Sequence, residues 1–128
     1  MTKKKPTLRE KRKAYLLARL AYFNQFYGFS WNRVSLKKSL RSRLGSCSSL
    51  HNLNLSSTLF SYPPELIDYV VVHELCHLKE MNHSKRFYDT MAVALPDWKE
   101  RKALIKQKSR DPFLVIRTLP EIVQHFFK

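Results

Sequence analysis

Between Pro63 and Glu80 the chain carries a helix-forming stretch that is apolar on nearly every side, yet two histidines and a glutamate stand inside it. Pro63 and Pro64 open it, since proline is tolerated in a first turn, and Glu65 sits favourably near the positive end of the helix dipole. Leu66, Ile67, Val70, Val71, Val72, Leu75, Leu78 and Met81 wrap most of the circumference, leaving Asp68 and Lys79 as the solvent side. A helix of that kind has to lie at the centre of a core. Its middle reads His73-Glu74-Leu75-Cys76-His77, the pattern HExxH. On a helix, residues four apart point within about 40° of each other, so both imidazoles can reach one ion, with Glu74 turned about 100° from His73 beside it.

Two imidazoles and a carboxylate facing a dry core cost several kcal/mol unless paired or coordinated, and one metal ion satisfies all of them. His83 follows His77 with five residues between, so a turn at Met81 and Asn82 can bring a third imidazole to the same ion. Asparagine tolerates the left-handed conformation expected of that turn. The expected metal ligands are therefore His73, His77 and His83; the bland alternative is three histidines satisfied by ordinary hydrogen bonds. Three protein ligands leave a fourth position open, which is the arrangement of catalytic rather than structural zinc. Cys76, the closing candidate within the helix, points about 60° to the far side of His73 and reads as a small buried hydrophobe. Nothing local sets the direction of Cys47. Zn2+ is the expected cofactor, although imidazole also suits iron, nickel and copper. Zinc lowers the pKa of a bound water to about 7, and Glu74 is placed to accept the proton and return it to a leaving amine.

The rest of the chain builds a frame for this helix. Thr7 with Glu10 makes a capping box ahead of Leu16, Leu20, Phe23 and Tyr27 at helical spacing, which predicts a long helix from Leu8 to Tyr27 closed by Gly28. From Phe29 to Leu59, Val34 with Leu36 and Leu53 with Leu55 alternate with polar neighbours around Gly45 and a run of serines. That pattern predicts two or three short antiparallel strands, a small antiparallel β-sheet or hairpin. Ser84 can cap a helix to about Ala94, Asp97 with Glu100 another to about Lys108, and Thr118 with Glu121 a last short one. The fold class is α+β. With 128 residues, one domain over 1–128 is expected, with a basic tail at 1–6 and a C-terminal extension at 109–128.

Charge and composition limit the partners. The net charge is +14, but 44% of residues are hydrophobic, too many for a disordered chain. No apolar run approaches the ~20 residues of a membrane span and no cleavage pattern follows the basic N-terminus, so a soluble protein without a membrane partner is expected. Two cysteines give one disulfide at most, and the cytoplasm is the expected location. Residues 1–45 hold 13 basic and 1 acidic side chains, 46–98 hold 3 and 6, and 99–128 hold 8 and 3. The basic ends could meet DNA or RNA through the first helix and Lys99 to Lys108, or simply keep two helices in solution.

The chain resembles the YgjP-like metallopeptidase family, zincins related to the SprT-like proteases. The stretches that carry the likeness are Arg43-Leu44-Gly45-Ser46-Cys47-Ser48, Asn52 to Asn54, Pro64 through Leu78, and Asn82-His83-Ser84 with Phe87, joined by Phe26-Tyr27-Gly28 and Pro96-Asp97. Together they cover about residues 15 to 105. The resemblance implies a zincin-like fold, His73, His77 and His83 as metal ligands and Glu74 as catalytic glutamate. It also implies that the serine-rich hairpin borders the cleft, so that a protein or peptide substrate could add there as a strand and meet Arg43, Ser46 and Ser48. Leu44 stands where the family usually has tryptophan, and much of an N-terminal β region of longer relatives is missing ahead of the first helix, which is expected to shorten the cleft. A third ligand of the thermolysin kind would have to be Asp97 or Glu100; His83 is preferred. Asp89 or Glu80 could hold a ligand imidazole or be solvated helix charges, Tyr88 could face an oxyanion or pack in the core, and His51 and His125 read as surface residues.

The leading expectation is a zinc metallopeptidase. An SprT-like, nucleic-acid-associated protease is compatible with it. The other readings are a metal-dependent hydrolase of a nonpeptide bond such as a phosphoanhydride, and a noncatalytic basic module with a structural metal.

Overall fold

The computed structural model describes residues 4–38, 40 and 43–110; most of the C-terminal extension, with Thr118, Glu121 and His125, lies outside them. Helix α1 spans Leu8–Asn24 and begins at the capping box: the Glu10 amide donates to Thr7 Oγ1 (3.1 Å) and the Thr7 amide to the Glu10 carboxylate (3.3 Å). It stops short of Tyr27 because the Asn24 side chain takes over, donating to the Phe29 carbonyl and accepting from the Phe29 amide, both at 2.8 Å. Gly28 then adopts φ +73°, the left-handed step glycine makes without a Cβ penalty. Leu16, Leu20 and Phe23 form the buried face of α1.

Three strands follow: β1 (Arg33–Lys37), β2 (Gly45–Cys47) and β3 (Asn52–Ser56). The expected antiparallel hairpin is the β2–β3 pair, with Ser46 opposite Asn54. β1, in contrast, runs parallel to β3, with Val34 opposite Leu53 and Leu36 opposite Leu55, so the sheet is mixed in the order β1-β3-β2. Alternation of apolar and polar residues sets which face a strand buries and says nothing about its direction. Here β3 slots between the two strands that precede it, placing β2 on one edge.

A short 3₁₀ turn over Ser57–Ser61 leads into α2, Pro64–Cys76, with Pro64 in its first turn. Leu66, Ile67, Tyr69, Val70, Val71, Val72, Leu75 and Cys76 are all buried, and α2 packs against α1, β2 and β3 as well as both later helices. The helix ends before Glu80, because the Leu78 and Lys79 amides donate to carbonyls three residues back (Leu75 and Cys76, both 3.1 Å) and tighten the last turn. Asp68, expected on the solvent side, instead receives two hydrogen bonds from the Arg19 guanidinium at 2.9 and 3.0 Å, which ties α1 to α2. α3 (Lys85–Ala94) buries Phe87 and Met91. Ser84 stands at its N-cap but makes no side-chain cap bond. α4 runs Trp98–Arg110; Arg101 holds Asp97 at 2.9 Å and donates to the Glu65 carbonyl at 2.9 Å, fixing α4 against the start of α2. Among the described residues no helix is long and apolar enough to cross a membrane.

Candidate metal centre

α2 opens on a cleft of about 640 Å³ walled by β2, the Ser57–Tyr62 segment and Ile105 of α4. His73 and His77 lie on its floor, one helical turn apart, and the segment after α2 folds back so that His83 joins them. The three Nε2 atoms form a tight triangle: His73 to His77 3.2 Å, His77 to His83 2.9 Å and His83 to His73 3.1 Å. The turn that returns His83 does so without a left-handed Asn82. His51 is the non-glycine residue with positive φ among those described (φ 62°), and it lies in the hairpin turn between β2 and β3.

Beneath the triangle sits the Phe87 ring, wholly buried, with centroids 4.9, 4.6 and 5.0 Å from those of His73, His77 and His83. His77 Nδ1 donates to the Glu80 carbonyl at 2.9 Å, so its Nε2 carries the lone pair that points into the triangle. Glu80 thus steadies a ligand-type imidazole through its backbone and not its carboxylate. Burial, reinforced by the two neighbouring imidazoles, drives the His73 pKa down to about 3, and burial lowers that of His77. Both rings therefore present neutral nitrogen at neutral pH.

This donor set fits a divalent metal ion. The three Nε2 atoms stand 2.9–3.2 Å apart, close to the spacing of about 3.3 Å that bonds of 2.0–2.1 Å to a tetrahedral ion give its nitrogen ligands. Among the described residues these histidines form the one cluster of possible metal-binding side chains, so neither Asp97, Glu100 nor Cys76 joins them. Cys76 is fully buried beside Tyr27, and burial raises its thiol to about 12. Asp89 pairs with Lys85 at 3.1 Å on an exposed face. Tyr88, half-buried, stacks on Trp98 at 4.2 Å and accepts from Lys102 at 2.8 Å, with its ring centroid 6.4 Å from that of His83.

Glu74 also lines the cleft and is 5% exposed; burial pushes its pKa up to about 8, with Arg43 pulling the other way. Arg43 and Ser46 border the same cleft. Ser48 sits at the hairpin turn, where its hydroxyl accepts from the Asn52 amide at 3.2 Å. Two residues missed by sequence reasoning also belong here. Tyr69 lines the cleft one turn before His73, a placement the same four-residue spacing could have given. Glu74 fills the space that a Cβ at Gly45 would need, and an isolated glycine opening a strand is the kind of signal that marks close approach.

A small sheet beside a central helix that carries the histidine cluster defines a zincin-like α+β protein. The chain belongs to the YgjP-like family, metallopeptidase domain, whose pattern it matches over residues 3–108. Its fold is shared with two crystal structures of metallopeptidase zymogens. Pyrococcus abyssi abylysin aligns with a TM-score of 0.66 and 21% identity, covering 74% of this chain and 95% of that one. Methanocaldococcus jannaschii jannalysin aligns at 0.56 and 24% identity, covering 75% and 94%. No curated protein sequence matches significantly.

Proposed function

We propose that this single-domain protein is a zinc-dependent peptidase in which His73, His77 and His83 hold the metal and Glu74 moves the proton. The observation that carries this reading is the convergence of three Nε2 atoms within 3.2 Å on the floor of a cleft that Glu74 also lines. A divalent ion bound there supplies Lewis acidity toward a substrate carbonyl and acidifies water. Glu74 lines the same cleft and is nearly buried, and as a carboxylate beside the bound cation it would take a proton from the attacking water and hand it to the departing amine. β2 is an edge strand along the cleft, so an extended peptide can add to it by main-chain hydrogen bonds, with Arg43 and Ser46 meeting its side chains. Cys47 and Cys76 are unpaired, which suits the cytoplasm.

Elemental analysis and a chelation assay test the proposal. One zinc per chain is expected, with hydrolysis of an unfolded protein lost on chelation and restored by zinc. Hydrolysis of nucleotides but not of peptides would shift the reaction to a phosphoanhydride. A tightly held zinc with no turnover of either would favour a structural metal.

A second reading is compatible with the first. Tyr15 and Tyr22 on α1, and Phe26 just beyond it, are exposed; Arg12 lies 4.9 Å over Phe60 and Arg19 4.7 Å over Tyr22. Exposed aromatic rings beside cationic side chains suit single-stranded nucleic acid, with the basic α4 as a further phosphate contact. Binding of DNA that weakens steeply with salt is expected, and unchanged mobility with excess DNA at low salt would discard it.

A further inference from the structure

The two glycines of this chain serve different ends. Gly28 has a positive φ and open space around it, since a Cβ built there would meet nothing within 4 Å. Gly45 has no positive φ, so its backbone asks nothing of glycine. What it lacks is room. A Cβ at position 45 would fall 2.9 Å from Glu74 Cγ, 3.0 Å from Glu74 Oε2 and 3.2 Å from the Asn54 carbonyl oxygen, well inside the separation of about 3.5–4.0 Å at which carbon atoms pack.

We propose that Gly45 is a positioning residue for Glu74: the bare strand edge is the seat that holds the carboxylate in the cleft that the histidines also line. The inference rests on the reading of Glu74 as the proton carrier. Gly45 begins β2 and pairs with Leu55 of β3, so the strand cannot retreat without losing its partner in the sheet among the described residues. On the other side Glu74 is anchored in the last turn of α2, where it is buried. The contact involves Cγ, the second carbon of the side chain, so a methyl group at 45 is avoided only by swinging the whole carboxyl group out of its present rotamer. A displacement near 1 Å at a proton-transfer group costs about 10²-fold in rate. The three heavy atoms nearest to such a Cβ belong to Glu74 and Asn54 and not to a histidine, so the first group to give way is the carboxylate side chain.

The test is a double-mutant cycle on the zinc-loaded full chain. Gly45→Ala is expected to lower kcat about 10²-fold with KM and zinc content unchanged, and to lower the thermal midpoint. In a Glu74→Ala background, where Cγ and the carboxyl group are gone, the same change is expected to leave the midpoint where Glu74→Ala alone puts it. An equal fall in both backgrounds would locate the clash at Asn54 and overturn the proposal, as would an unchanged kcat. Should Gly45→Ala not fold, folding of the double variant supports the seat and its failure to fold refutes it. The midpoints need no turnover, so a wild-type chain that hydrolyses nothing would count against the peptidase reading alone, while the cycle still decides the seat.

Discussion

Glu74→Gln is expected to keep its full complement of zinc and lose about 10²–10⁴-fold in kcat, the range that general acid–base catalysis supplies. Glutamine has the shape of glutamate, so the fit against Gly45 survives while the ability to carry a proton is lost. Retained hydrolysis with the variant would reject the role. A second signature appears in the metal-free protein. The folded-state pKa of Glu74 is raised from 4.5 to about 8 by burial, so the native form holds a proton that the unfolded chain has already released. The sign follows: wild type is progressively destabilised as pH rises from about 4.5 through about 8, whereas glutamine does not titrate. Chelated Glu74→Gln should therefore gain in stability over chelated wild type across that window. Parallel curves for the two proteins would show that the carboxylate is better solvated than its burial indicates.

The second large effect is at Phe87. Its ring is fully buried and lies within 5.0 Å of all three imidazole centroids. Phe87→Ala opens a cavity where the core meets the cluster, with an expected loss of about 3–5 kcal/mol in the unfolding free energy of the metal-free protein. Because a ligand that binds only the native state stabilises it, zinc should recover part of the loss, though with weakened affinity once the rings have lost their platform. Urea unfolding with chelator and with zinc measures both quantities. A loss below about 1 kcal/mol, outside the range for truncating a packed aromatic residue, would mean that the neighbouring side chains close the cavity.

The central helix and its histidines were legible because both signals are periodic: the apolar wrap of Leu66 to Leu75 and the four-residue step from His73 to His77 depend only on helix geometry. The start of α1 was legible for the same reason of locality, since Thr7 and Glu10 recognise each other within one turn. Features that depend on a distant partner were not. The parallel direction of β1 is set by where β3 lies, the end of α1 by a hydrogen-bonded exchange between Asn24 and Phe29, and the partnership of Asp68 by Arg19, forty-nine residues away. Asn82 shows how a correct contact can be reached by the wrong route: His83 does return to the cluster, but the chain bends there without the left-handed residue that the turn was expected to need. The support given to His77 by the Glu80 carbonyl was unreadable because every residue has a carbonyl.

His83 belongs to the exposed connection before α3, whereas His73 lies in the last turn of α2 and His77 caps its C-terminal end. An ion gripped by all three is therefore also a clasp between two consecutive helices, and loading it fastens the link that runs from 78 to 84. Stripping the ion would unbuckle that link first, leaving an early point of proteolytic nicking beside the reaction centre while the α1–α2 core stays shut.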